Sequence, residues 1–152
     1  MSPVQEVCVD ASLAVKVVVT EPDSDKADAL FDEWANNGTR LIAPAFFDVE
    51  TDSILRQKVV LRRELMPEQA ETAWAKLQNM PIEQLSVGGQ RQRAWEIAVN
   101  LGLATVYDAT YLALAELRRC EFWTADERLL NRVKGTLSFV KWLGDYVPGR
   151  TP

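Results

Sequence analysis

Five short apolar segments recur along the chain, separated by longer stretches whose hydrophobic residues fall at helical spacing. They cover residues 6–9, 41–43, 82–85, 121–124 and 137–141. Segments this short and this apolar lack the polar alternation of a half-exposed strand, so they read as strands buried on both faces. Parallel neighbours need long crossover connections, and the intervening helices supply them. The expected fold is therefore α/β, with a central, mainly parallel sheet of about five short strands covered by helices on both faces.

The helices have local start and stop signals. Ser12 is placed to cap a first helix reaching about Thr20, with Pro22 helping to end it. Ala27, Leu30, Phe31 and Trp34 mark a second from Ser24 to Gly38. Pro44 suits the first turn of a third, running to Leu65, and a fourth covers Pro67 to Asn79. Trp95, Ala98 and Leu101 mark a fifth closed by Gly102, Tyr107 to Arg119 forms a sixth, and Asp126 to Val133 a short seventh.

The 152 residues, 47% hydrophobic and 26% charged, suit one domain over 1–147 with a short C-terminal tail at 148–152. No apolar stretch is long enough to span a bilayer, and the start MSPVQEVCVD lacks the pattern of a signal peptide. A cytoplasmic protein with no membrane association is expected. Cys8 and Cys120 have no C-x-x-C partner and read as reduced core thiols.

Histidine is absent, which removes Ser-His-Asp and Cys-His catalysis and histidine zinc sites. A net charge of -5 argues against broad electrostatic capture of nucleic acid, so any such contact must come from local basic patches. Acid chemistry falls to Asp and Glu, and four of these stand where an apolar run ends or on an apolar face: Asp10, Glu50, Asp108 and Asp126. Isolated buried carboxylates are costly, so a fold that gathers four of them points to a cation.

Each also has an ordinary local explanation. Asp10 follows the first strand, where ligands bind in parallel sheets, and equally suits a turn before a helix. Asp108 complements the dipole of the helix it opens. Thr124 and Glu127 have capping-box spacing, with Asp126 between them. Glu50 is the least accounted for, because Phe47 and Ile54 place it on an inward stripe where a structural salt bridge is the alternative. Asp48 and Asp52 flank it on other, solvated faces.

Taken together, Asp10-Ala11-Ser12, Ala43-Pro44 with Glu50, Tyr107 to Ala115 and Trp123-Thr124-Ala125-Asp126 resemble the PIN-domain family. The resemblance covers nearly the whole chain and is greatest to VapC-type toxin ribonucleases. It implies a three-layer α/β/α PIN-like fold and metal-dependent RNA hydrolysis that leaves a 3′ hydroxyl and a 5′ phosphate. It also implies roles for Asp10, Glu50, Asp108 and Asp126 as catalytic metal ligands, supported by Ser12 and Thr124. The family often carries Asn three residues after the Glu; here that position is Ser53, preceded by Asp52.

An all-oxygen donor set suits Mg²⁺ or Mn²⁺ rather than zinc. Arg56, Lys58, Arg62 and Arg63, beyond Glu50 on the same helix, are candidates to guide RNA phosphates, and a solvated basic face is the alternative; Arg91 and Arg93 are further basic positions. The resemblance implies partners as well: an RNA substrate, a small VapB-type antitoxin whose tail occupies the acidic groove, and a homodimer. Two other functions compete. One is a receiver-like phosphoacceptor domain using Asp10, with Thr124 and Lys141 as switch residues. The other is a non-catalytic interaction module.

Overall fold

The computed structural model describes residues 3–149. It begins with β1 (Glu6–Val9), α1 (Ala11–Val18), α2 (Ser24–Asn36) and β2 (Arg40–Pro44). Next come α3 (Phe47–Val60), α4 (Pro67–Gln78), β3 (Ile82–Leu85), α5 (Gln90–Leu101) and α6 (Tyr107–Arg118). The chain closes with β4 (Glu121–Thr124), α7 (Glu127–Val133), β5 (Val140–Trp142) and a 3₁₀ turn over Leu143–Asp145.

All strand pairs are parallel, in the order β3-β2-β1-β4-β5. Cys8 on β1 stands opposite Ile42 of β2 and Phe122 of β4. Val7, Cys8, Val9, Ile42, Ala43 and Phe122 are at most 1% exposed, so β1 and β2 carry the expected continuous burial, whereas β4 alternates and β3, at the sheet edge, has no buried residue. The chain winds outward from β1 to β3, then crosses back to β4 and continues to β5. Right-handed crossovers accordingly put α1 to α4 on one face and α5 to α7 on the other. The packing agrees: α1 contacts α2, α3 and α4, whereas α6 pairs with α5 and lies across β1, β2 and β4. Ala109 and residues 111–115 are all buried, as expected of a helix enclosed on nearly every side.

This winding has a chemical consequence. The strand order reverses between β1 and β4, and in open α/β sheets ligands bind in the crevice beyond the carboxyl ends of the strands at that reversal. Asp10 directly follows β1, and Asp126 stands two residues past the end of β4.

Three expectations about the elements are corrected. Ser12 does not cap α1: Asp10 holds the N-cap position with extended backbone (φ -71°, ψ 145°), and its carbonyl accepts from Leu13 at 3.1 Å and Ala14 at 3.2 Å. Pro44 opens no helix but closes β2 opposite Leu85, since the fixed φ of proline also suits extended backbone. β5 begins at Val140 rather than Leu137, because the N–H groups of Thr136 and Leu137 both bond the Val133 carbonyl and prolong the turn after α7. Of the expected tail at 148–152, residues 150–152 lie outside the described residues.

Among the described residues no helix is long and apolar enough to cross a membrane. Cys8 and Cys120 are both free thiols, and burial raises the pKa of each.

Candidate active site

The site grows from Asp10. Its N–H continues the β1–β4 ladder by donating to the Trp123 carbonyl at 3.0 Å, which fixes the backbone at the sheet edge. Its carboxylate is only 5% exposed, and Oδ2 accepts from Thr124 Oγ1 at 2.6 Å and from Ser12 Oγ at 3.0 Å. Both hydroxyls are themselves oriented by backbone donors: Thr124 accepts from the N–H of Asp126 at 2.9 Å, and Ser12 from that of Ala125 at 3.3 Å. Among the described residues Oδ1 of Asp10 has no hydrogen-bond partner.

Glu50 sits in the first turn of α3, half-buried, and its Oε1 accepts from the Tyr111 hydroxyl of α6 at 3.2 Å. Asp108 lies in the first turn of α6, half-buried, without a side-chain partner among the described residues. Asp126 caps α7, its Oδ1 accepting from the N–H groups of Arg128 at 2.9 Å and Leu129 at 3.4 Å. The capping box expected between Thr124 and Glu127 therefore does not form. Asp126 performs the capping, and Thr124 turns its hydroxyl to Asp10.

These carboxylates act on one another. Burial, followed by the charges of Asp108 and Asp126, pushes Asp10 up to about 6 against the opposing hydrogen bonds of Thr124 and Ser12. Burial and then Asp10, with Asp108 adding to it, push Glu50 up to about 7. Burial and the charge of Asp126 raise Asp108. Burial and the same carboxylates also hold the Tyr111 phenol well above its usual range, so it stays a neutral donor to Glu50. No lysine or arginine figures among the influences on Asp10, Glu50 or Asp108.

Such a concentration of oxygen ligands, with the pKa values of three of them raised, suits a hard divalent cation. Among the described residues no three side chains converge tightly enough to enclose an ion by themselves. That is compatible with Mg²⁺ or Mn²⁺, which keep several waters and take one or two carboxylates together with substrate phosphate oxygens.

The other acidic positions point elsewhere. Asp48 accepts from Gln84 Nε2 of β3 at 2.7 Å, while Asp52 has Asp48 and Trp74 as its neighbours. Ser53 is exposed.

The basic candidates separate clearly. Arg56, Arg62 and Arg63 are exposed, although the latter two lie past the end of α3, in a turn where Arg63 adopts a positive φ of 52°. Lys58 does not stand on an open basic face. It is buried, and its ammonium bonds Glu21 at 2.6 Å and Glu64 at 3.1 Å, so two carboxylates already occupy it. Arg91 is exposed, and Arg93 is committed to Glu116 at 2.7 Å.

Sequence reasoning missed two arginines. Arg128 and Arg132 line a cleft of about 220 Å³ together with Asp108 and Asp126. Arg132 also bonds the carbonyl of Gly102 at 3.1 Å, closing the end of α5. Their spacing on α7, two and six residues after Asp126, was the available signal. The receiver-like alternative loses its switch lysine, because Lys141 stands 4.0 Å from Glu121 on β4 and is not among the charges acting on Asp10.

Residues 7–135 match the PIN domain family. A VapC ribonuclease of Mycobacterium bovis is 32% identical over 123 residues, covering 81% of this chain and 87% of the relative. Ribonuclease VapC9 of Mycobacterium tuberculosis is similar to the same extent. In structure, the chain resembles a Pyrobaculum aerophilum protein (TM-score 0.59, 23% identity, 86% of this chain and 87% of that one). It also resembles the Mycobacterium tuberculosis toxin VapC20, described as cleaving the sarcin-ricin loop (TM-score 0.59, 18% identity, 95% and 99% of the two chains). The fold, the carboxylates at the sheet reversal and these likenesses agree: the chain belongs to the PIN domain family and, within it, to the VapC ribonucleases.

Proposed function

We propose that this protein is a Mg²⁺- or Mn²⁺-dependent endoribonuclease, the toxin of a type II toxin-antitoxin pair, acting as one domain over residues 1–147 in the cytoplasm. The observation that carries the reading is Asp10: a buried carboxylate at the sheet reversal, held by Ser12 and Thr124 and raised in pKa by burial and by the charges of Asp108 and Asp126.

Asp10, Glu50 and Asp108 would hold the principal ion, in part through waters that it retains, with Asp126 assisting it or a second one. A bound ion lowers the pKa of a coordinated water and offsets charge on the scissile phosphate. Ser12 and Thr124 keep the free Oδ1 of Asp10 aimed away from their own hydroxyls, and Tyr111 fixes the Glu50 side chain. Hydrolysis joins the water oxygen to phosphorus and breaks the bond to O3′, which leaves with a proton.

Membership of the family supports three partners: an RNA substrate, a small VapB-type antitoxin and a second copy of the chain. An antitoxin arginine placed among the carboxylates would supply the missing positive charge. Purification of a complex with the product of an adjacent small reading frame checks that partner.

The direct test is RNA cleavage by the pure protein with Mg²⁺ or Mn²⁺, set against Asp10→Asn and Asp108→Asn. Cleavage is expected to vanish in both variants while folding is retained. Equal cleavage by all three proteins would sink the mechanism.

A further inference from the structure

A groove of about 1060 Å³ opens between the start of α5 and the start of α6. Its walls include Phe46, Trp95, Val106 and Tyr107, with Arg91 among the residues around it. Trp95 is 66% exposed and Tyr107, although it meets the Phe46 ring edge-on, is 58% exposed, so two large aromatic surfaces face water. Burying such rings recovers hydrophobic free energy, which makes an exposed aromatic groove a place where a ligand gains affinity.

The carboxylates do not line the groove, but its residues adjoin them. Tyr107 immediately precedes Asp108 in the first turn of α6. Phe46 lies one helical turn before Glu50, whose N–H donates to the Phe46 carbonyl at 3.0 Å. The Phe46 ring meets Tyr107 edge-on at 5.5 Å and Tyr111 at 5.5 Å, and Tyr111 donates to Glu50. An unbroken aromatic path thus joins the groove to the acidic centre. A phosphodiester held at Glu50 and Asp108 would have its neighbouring nucleotides close to Tyr107, the residue before Asp108.

The geometry points to this groove as a stacking site for an unpaired nucleobase flanking the scissile phosphate of the RNA. Trp95 and Tyr107 supply ring faces, and Arg91 contacts a phosphate further along the strand. The inference rests on the ribonuclease reading and deepens it, because it makes the substrate single-stranded at the cut. Stacking on aromatic side chains is how proteins grip unpaired bases, and it requires nucleotides splayed out of a helix. Ser86 and Gln92 add polar groups to the lining.

The test uses the full chain and a short single-stranded RNA that the wild type cleaves, together with copies in which each nucleotide beside the cut is replaced by an abasic ribose. Binding is measured in the Asp10→Asn background, and cleavage with otherwise native sequence. Trp95→Ala is expected to weaken binding about tenfold, and Trp95→Phe to keep most of the affinity. An abasic ribose at one position should cost the Asp10→Asn parent as much as Trp95→Ala does, and cost the Trp95→Ala protein nothing further. Unchanged binding and cleavage by Trp95→Ala and Tyr107→Ala overturn the stacking site but leave the ribonuclease reading intact. A changed sedimentation of these variants with unchanged RNA affinity assigns the groove to a second copy of the chain, and also overturns it. Failure of the wild type to bind or cleave any RNA overturns both readings.

Discussion

At Asp10 one carboxylate oxygen takes both available hydroxyls, Thr124 at 2.6 Å and Ser12 at 3.0 Å, which leaves its other oxygen for a ligand. Removing one of these supports while keeping the side-chain volume, as in Thr124→Val, loosens the carboxylate. Groups that orient a ligand in this way typically matter about 10–100-fold in metal affinity or activity. We expect such a loss in Mg²⁺ affinity and cleavage for Thr124→Val, read by metal titration; unchanged values would show that Asp10 needs no orientation. The pH dependence follows from the same group. Asp10, near 6, and Glu50, near 7, both lie above their ordinary values of 3.8 and 4.5, chiefly through burial. The folded state then binds these protons more tightly than the unfolded state. The contribution of these two groups to the stability of the metal-free protein is therefore full below about pH 4 and is lost as pH rises through about 6 to 7. For Asp10 alone the loss is roughly 3 kcal/mol. Thermal melts in chelator should show this decline, Asp10→Asn should flatten it, and added Mg²⁺ should raise the Tm much more at pH 8 than at pH 5. A metal-free Tm independent of pH across that window would contradict the coupling of these carboxylates.

At the scale of elements, α3 shows how a helix divides its labour. Its first turn presents Glu50 to α6, whereas its last turn buries Lys58 between Glu21, from the connection after α1, and Glu64, from the turn before α4. Lys16 joins the same Glu21 at 3.3 Å, so α1, α3 and both connections are tied at one point. Lys58→Met leaves Glu21 short of a partner. Hydrogen bonds to charged groups contribute about 1.5–3 kcal/mol, and we expect a destabilisation of about 2 kcal/mol by denaturant unfolding. RNA affinity of the folded variant should be unchanged; a clear drop would return Lys58 to the RNA-binding surface. In the sequence Lys58 sat among Arg56, Arg62 and Arg63 and looked like part of their basic face. Its two acidic partners are 37 and 6 residues away, and no local pattern identifies them. The turn chemistry was partly hidden for the same reason. Thr124 and Glu127 had capping-box spacing, but Thr124 is drawn instead to a carboxylate 114 residues away.

For the whole molecule, a net charge of -5 leaves attraction to RNA to a few well-placed cations. Arg128, exposed and lining one cleft with Asp108 and Asp126, is one of these. If it neutralises one phosphate, Arg128→Ala should lower the slope of log affinity against log salt by about 0.7 for single-stranded RNA. An identical slope would remove Arg128 from the interface. What the sequence determined unaided was the alternation of buried strands and amphipathic helices, because burial on both faces leaves a continuous apolar run and helix packing leaves a periodic one. It also marked Glu50 and Asp108 on inward faces and Asp10 at a strand end. Only the tertiary structure decided that the strand order reverses between β1 and β4, which brings Asp10 and Asp126 to one crevice. Tertiary packing also sent Lys58 inward and joined Phe46, Tyr107 and Trp95 into a groove beside the acids. These are contacts between residues far apart in the chain. Their energies depend on which surfaces meet, and local propensity carries no record of that.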